Sequence, residues 1–199
     1  MICILAYLAS IISDDEKKFF CENANWTWHG EFGRLIMSPA MQSHLDYRLI
    51  LVEDVFPHTF DRPFSMMKSD NAKAQFKCQR CEHAWTSMRA RCSFYLSEFD
   101  QSAIVFLKLY TQRCQVCYST VYPRWYYGNR RGIHFSECSM CFFFVDEICR
   151  VMKNFARTIF EDFLPSPYKS IRRSFQRKGS MHHPHQSFLC EACQSGYCY

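Results

Sequence analysis

The chain lacks any apolar run long enough to cross a bilayer. A spanning helix needs about 20 apolar residues in succession. The most apolar stretch, Met1 to Ile12, is shorter and runs directly into Asp14-Asp15-Glu16. No basic flank precedes it, which argues against a secretory signal and for a short buried element or an imprecisely defined chain start. Glycine is scarce, with 6 in 199 residues, and none of it is arranged as a phosphate-cradling loop. No Ser/His/Asp order and no His-x-Glu beside a Cys-x-x-Cys is present. The expectation is therefore a protein that is not an enzyme and takes no small-molecule substrate. No internal repeat occurs beyond the Cys-x-x-Cys units described below.

Acid is missing from one segment in particular. Tyr168 to Gly179 holds Lys169, Arg172, Arg173, Arg177 and Lys178 with no Asp or Glu. The net charge of +5 is unevenly spread: residues 1–70 carry 6 Lys/Arg against 10 Asp/Glu, and residues 71–199 carry 18 against 9. A basic half of this kind contacts nucleic acid, anionic lipid or an acidic protein face, or offsets the negative charge of thiolate-metal centres. Disorder is ruled out by composition, since 48% of residues are hydrophobic and 17% aromatic, with 19 Phe and 11 Tyr. That is enough for a substantial apolar core.

What the chain has in abundance is cysteine, 13 in all. Eight stand in four Cys-x-x-Cys pairs: Cys78/Cys81, Cys114/Cys117, Cys138/Cys141 and Cys190/Cys193. A two-residue gap turns both thiolates onto one metal, and two such knuckles complete a tetrahedral zinc site. Four pairs thus predict two Zn²⁺. Disulfides fit poorly, because the count is odd and neighbouring Cys-x-x-Cys thiols make poor structural bridges. Thiolate zinc sites belong to a reducing compartment, so a cytoplasmic location is expected. His185 and Cys198 flank the last pair. They join Cys190 and Cys193 in a Cys₃His site, or else Cys190/Cys193 pair with Cys138/Cys141 and leave His185 and Cys198 as alternative ligands. The remaining thiols, Cys92 on the apolar face of a strand together with Cys3, Cys21 and Cys149, read as small buried hydrophobes.

Periodicity supplies the scaffold. Trp28, Phe32, Leu35 and Ile36 lie at helical spacing, and the spacing predicts a short helix that ends at Ser38-Pro39. Tyr47 to Val52 reads as a strand. Met88, Ala90, Cys92, Phe94 and Leu96 alternate with polar or larger partners, which marks a half-buried strand. Ile104 to Gln112 forms a second, so that two antiparallel strands bring Cys78/Cys81 beside Cys114/Cys117. Trp85 packs against the first knuckle, and His83 is a weaker candidate ligand than the cysteines around it. Ile148, Val151, Met152, Phe155, Ile159, Phe160 and Phe163 form one stripe of a helix expected over 142–163, ended by Pro165 and Pro167. His182 and His183 read as solvated linker residues. The fold class is α+β: zinc-ribbon-like antiparallel β hairpins, an N-terminal helix, and one long amphipathic helix before the last Cys-x-x-Cys. Residues 1–23 form an extension. Residues 24–199 form the zinc-binding domain, with a lead-in at 24–70, a ribbon at 76–117 and a second zinc-binding half at 138–199.

Three pieces of the chain resemble the zinc-finger 3CxxC family: Phe76-Lys77-Cys78-Gln79-Arg80-Cys81 followed by Trp85-Thr86-Ser87, Gln112-Arg113-Cys114-Gln115-Val116-Cys117, and Pro184-His185 with Cys190-Glu191-Ala192-Cys193-Gln194-Ser195-Gly196-Tyr197-Cys198. The last piece is the most specific. The animal members of that family are the receptor-transporting proteins and the zygote arrest proteins. Trp26-Thr27-Trp28 and its helix look like the N-terminal segment of the former, and the likeness covers roughly residues 24–199. Two departures stand out. The stretch ending in Tyr199 is not the apolar anchor that receptor-transporting proteins usually carry, and the knuckle at Cys138/Cys141 occurs in the zygote arrest proteins instead. The first resemblance implies an adaptor or chaperone that helps membrane receptors traffic to the cell surface and that reaches the membrane through its partner. Trp26, Trp28, Phe32 and Ile36 are then the partner-binding face. The second implies RNA binding, with Arg124, Trp125, Tyr126, Arg130 and Arg131 stacking on bases and contacting phosphates.

Overall fold

The computed structural model describes residues 24–52, 64–121, 139–162 and 185–198. The apolar stretch at 1–12, the aromatic-basic residues Arg124, Trp125, Tyr126, Arg130 and Arg131, the basic segment 168–179 and Cys138 lie outside the described residues.

The described residues begin with helix α1 (Ala24–Phe32), a π-helical turn (Gly33–Met37) and helix α2 (Ser38–Gln42). The helical path thus continues through Ser38-Pro39, where the sequence predicts an end. Two features permit this. Pro39 sits in the first turn of α2, where its missing N–H costs nothing, and the Ser38 N–H closes the wider π turn onto the Gly33 carbonyl. The buried residues Trp28, Phe32, Ile36 and Ala40 recur every four positions. A strict α-helix turns once per 3.6 residues, so such a stripe would wind off the core. The wider turn at Gly33–Met37 takes up the difference.

Five strands follow: β1 (Asp46–Val52), β2 (Met66–Cys78), β3 (Ala84–Phe99), β4 (Ser102–Leu109) and β5 (Ser139–Phe143). They form one sheet in the order β1-β4-β3-β2-β5, antiparallel throughout except where β1 runs parallel to β4. The predicted ribbon hairpin is its centre, β3 against β4. β2 begins at Met66, so the sheet takes in residues that periodicity alone placed in the lead-in. Helix α3 (Gln115–Val121) follows Cys114. Helix α4 (Val145–Asp162) begins three residues later than its stripe predicts, because Phe142 and Phe143 pair with β2 as part of β5. The chain closes with a 3₁₀ turn (Ser187–Leu189) and helix α5 (Glu191–Gln194).

Period-two alternation gives the sheet two buried faces. On one, Ala90, Cys92, Phe94 and Leu96 of β3 and Val105 and Leu107 of β4 meet Trp28, Phe32 and Ile36 of the N-terminal helices and Ile148, Met152, Phe155 and Ile159 of α4. Phe94 stacks on Phe155 at 4.0 Å between centroids, and Trp28 packs edge-on against Phe143 at 5.6 Å. On the opposite face, Tyr95 meets Phe64 and hydrogen-bonds its hydroxyl to that of Tyr110, and the C-terminal knuckle packs down on Tyr110. A half-buried ionic network ties α4 to β2. Arg150 reaches Asp70 and Glu147, and Asn154 donates to Asp70 at 2.9 Å. Cys92 lies in the first core with its thiol directed at the Asp70 carbonyl, and burial pushes its pKa up, beyond reach at neutral pH. Cys149 is buried as well.

Candidate metal centres

The first centre is assembled at one end of the sheet. Cys78 is the last residue of β2, and the chain reverses through Gln79 to His83 before β3. The turn is closed by the Cys78 N–H donating to the His83 carbonyl (2.9 Å) and the Glu82 N–H donating to the Cys78 carbonyl (3.1 Å). Glu82 takes the left-handed conformation at φ 58° that a tight knuckle requires. The Arg80 N–H points at the Cys78 sulfur (3.4 Å). Trp85 stacks between Phe76 (5.6 Å) and His83 (5.9 Å), bracing the turn as its place in the sequence implies. His83 is exposed and is not a member of the donor group.

The other knuckle caps α3. Cys114 precedes its first turn, Cys117 lies within it, and the Tyr118 N–H donates to the Cys114 carbonyl (2.9 Å). Across the centre the Cys78 and Cys117 sulfurs lie 3.6 Å apart, as do those of Cys81 and Cys114. These separations are far beyond the ~2.05 Å of a disulfide. They match the edge of about 3.8 Å of a tetrahedron of sulfurs each about 2.3 Å from zinc. The electrostatics point the same way. Burial pushes the Cys78 thiol up, but the backbone N–H groups of Cys81 and Arg80 and hydrogen bonds with Cys117 and Cys81 outweigh it and bring it to about 7. Cys117 is pushed up to about 12 by its hydrogen bond with Cys81, by burial, and by Cys78. Four thiols this close resist ionising together, and a divalent cation at their centre removes that resistance.

The second centre lies on the far face of the sheet. His185, Cys190, Cys193 and Cys198 place one donor atom each within 4.8 Å of all the others. His185 Nε2 is 3.0 Å from the Cys193 sulfur and 3.7 Å from that of Cys198. Cys190 precedes α5, Cys193 lies in it, and Gly196 then reverses the chain at φ 77° so that Cys198 returns to the same point. Open space surrounds the Cβ position of Gly196, so the backbone angle alone calls for glycine there. Burial, and then the Arg89 charge, hold the His185 pKa below its usual value, which favours the neutral ring that a metal needs. Burial and a hydrogen bond with Cys198 push Cys193 up to about 12.

The two groups thus carry the donors for two zinc ions, one Cys₄ and one Cys₃His. Of the two pairings the sequence left open, the described residues bring His185 and Cys198 to Cys190/Cys193. Cys141 stands on β5 opposite Phe76, packed against the apolar core, and belongs to neither group. The four residues of the predicted partner face separate: Trp28, Phe32 and Ile36 are in the core, and Trp26 is 79% exposed. The sequence reading missed Lys108 and Glu191, which form a buried ion pair at 2.7 Å beneath the second centre. No local signal marks them, since they lie on elements more than 80 residues apart in the chain.

Closed four-donor groups built from Cys-x-x-Cys knuckles at the ends of antiparallel strands define a zinc-ribbon protein. Residues 71–196 match the 3CxxC zinc ribbon, described as a zinc-binding domain, and the chain belongs to that family. It is similar to receptor-transporting protein 4 of Homo sapiens, at 24% identity over 184 residues, which is 87% of this chain and 64% of that protein. The chain therefore spans less than two thirds of that relative's length. No solved structure matches it. Among the described residues, no helix is long and apolar enough to cross a membrane.

Proposed function

We propose that this chain is a zinc-stabilised, non-enzymatic adaptor that engages membrane receptors from the cytoplasmic side and assists their delivery to the cell surface. The observation that carries the non-enzymatic half is that each centre has four protein donors. A zinc held by four protein ligands keeps no open position for substrate or water and is structural. The two zincs, held by Cys78, Cys81, Cys114 and Cys117 and by His185, Cys190, Cys193 and Cys198, would brace a domain whose use is to bind. The similarity to a receptor-transporting protein supports the choice of partner. For the contact itself we assign Trp26, the most exposed of the large apolar side chains among the described residues, with Met41 on the same helical segment at 63% exposure. Large side chains of this kind serve as interface anchors.

The test is co-expression with a panel of membrane receptors while measuring receptor at the surface. The intact chain should raise surface levels, and Trp26→Ala should remove the gain with zinc content and melting temperature unchanged. No gain on any receptor would sink the reading.

A second reading, RNA binding, is favoured by one observation: Arg124, Trp125, Tyr126, Arg130 and Arg131 interleave cations with aromatics in the basic half of the chain. The salt dependence of RNA binding separates the two.

A further inference from the structure

Both centres hang on one short stretch of chain. Thr111 to Arg113 leave β4 and lead directly into Cys114, a ligand of the first centre. The same three residues run antiparallel to Leu189–Glu191, which contain Cys190, a ligand of the second. Gln112 and Cys190 pair as a β-bridge, the Arg113 N–H donates to the Leu189 carbonyl (2.8 Å), and the Glu191 N–H donates to the Thr111 carbonyl (3.2 Å). The Gln112 side chain extends the connection. Its Oε1 accepts from Trp85 Nε1 (3.0 Å), and Trp85 is the ring stacked on the first knuckle; its Nε2 donates to the Ser87 hydroxyl (3.2 Å).

Glu191 locks the bridge from below. One carboxylate oxygen pairs with Lys108 Nζ at 2.7 Å, and the other accepts from the Thr111 N–H (2.7 Å) and the Thr111 hydroxyl (3.0 Å). A second joint lies nearby, where the Tyr118 ring, one residue past Cys117, meets the Phe188 ring, two residues before Cys190, at 5.4 Å.

We propose that the two metal centres are energetically coupled through this bridge, so that zinc in either one raises the affinity of the other, with Glu191 as the positioning residue. The physical reason is shared ordering. Zinc on Cys114 and Cys117 fixes the chain at 111–113, and that same segment must be fixed for 189–191 to present Cys190. Whichever ion binds first orders the common strand, and the second ion binds a segment already in place. The coupling must be reciprocal, because it is a single free energy shared by two binding events. This inference is independent of whether the partner is a receptor or an RNA.

The experiment is a metal-binding cycle on the full chain, reduced and metal-free. Cobalt(II) serves as the spectroscopic probe, and zinc is set by a competing chelator. Affinity at the second centre is measured in the intact chain and in Cys81→Ser. Affinity at the first is measured in the intact chain and in Cys193→Ser. Coupling predicts a loss of roughly tenfold in each case, equal in the two directions. The whole cycle is repeated with Glu191→Gln, which keeps every ligand and therefore tests the bridge even where a cysteine variant folds poorly. There the factor should fall toward one. A purely structural role for Glu191 would lower the melting temperature and leave the factor as it was. Equal affinities with and without the other centre, unequal losses in the two directions, or a factor untouched by Glu191→Gln would each overturn the proposal.

Discussion

Trp26 and Trp28 stand two residues apart on one helix and face opposite ways: Trp26 is 79% exposed, and Trp28 is sealed between Phe94 and Phe143. Two residues along an α-helix rotate a side chain by about 200°, so a Trp-x-Trp motif on a helix lying against a sheet offers one ring to the core and one to solvent. The motif reads identically in sequence at both ends, and only the packing of the helix on the sheet separates its two rings.

Stability should separate them. Trp28→Ala should destabilise by about 3–5 kcal/mol, as large-to-small core changes do, and Trp26→Ala by less than about 0.5 kcal/mol. Trp28 also buries an indole N–H without a hydrogen-bond partner. Trp28→Phe should therefore cost clearly less than Trp28→Ala. Chemical denaturation of the zinc-loaded chain checks all three, and a Trp28→Ala protein as stable as the parent would contradict the packing described.

Metal content follows from the two donor groups. Elemental analysis of the purified, reduced chain should find two zinc ions per molecule. Chelation should lower the melting temperature and weaken near-ultraviolet dichroism, because metal binding to such sites adds folding free energy to that of the apolar core. Cys78→Ser should halve the zinc and unfold the first knuckle. Cys92→Ser should keep both ions and cost about 1–3 kcal/mol as a buried polar substitution. Zinc absent from the intact chain, or lost in Cys92→Ser, would refute this.

The pH dependence has a definite sign. The folded His185 pKa lies below its unfolded value, so the unfolded chain takes up a proton at higher pH than the folded chain does. The contribution of His185 to stability is therefore fully present above the unfolded pKa of about 6.5 and is lost as pH falls through the lower folded pKa. Thermal melts of the metal-free chain between about pH 7.5 and 5.5 should show this decline, and His185→Gln should flatten it. A variant with an unchanged slope would show that other groups set it.

Salt separates the two functional readings. If Arg124, Arg130 and Arg131 neutralise phosphates, binding to single-stranded RNA should weaken steeply between 50 and 200 mM salt (roughly tenfold or more for a few contacts), because each contact releases counterions. Replacing the three arginines by glutamine should shallow that slope while leaving zinc content unchanged. Absent or salt-insensitive binding at micromolar protein favours the adaptor.

Breaking the pair at the second centre should be costlier than any surface charge change. Lys108 and Glu191 are both buried and 2.7 Å apart. Lys108→Met leaves a buried carboxylate without its counter-charge, held only by the Thr111 N–H and hydroxyl, and should cost about 3–5 kcal/mol. The double variant Lys108→Met/Glu191→Leu should recover part of that loss. A Lys108→Met chain within about 1 kcal/mol of the parent in denaturant would place the pair in contact with solvent.

Much of this protein is written in short-range pattern. A Cys-x-x-Cys knuckle is a local object, since four residues and one turn aim both sulfurs, and at Cys78/Cys81, Cys114/Cys117 and Cys190/Cys193 that geometry is legible in the sequence, whereas Cys141 stands on a strand and joins neither group. The same holds for the alternation from Ala90 to Leu96 and for the stripe from Ile148 to Ile159, each of which reports a face buried by its own element. Tertiary structure alone decided how these parts combine. Which knuckle joins which depends on β3 and β4 carrying Cys114 back over 36 residues to Cys78, and on Gln112 meeting Cys190 from 78 residues away. It also decided that β1 would close the sheet in parallel, that Phe142 and Phe143 would pair in a strand before α4, and that Lys108 would meet Glu191. Those outcomes are set by long-range packing of one helical layer and one knuckle on opposite faces of a single sheet. Contacts of that range are governed by the free energy of the whole core and leave no period in the chain to read.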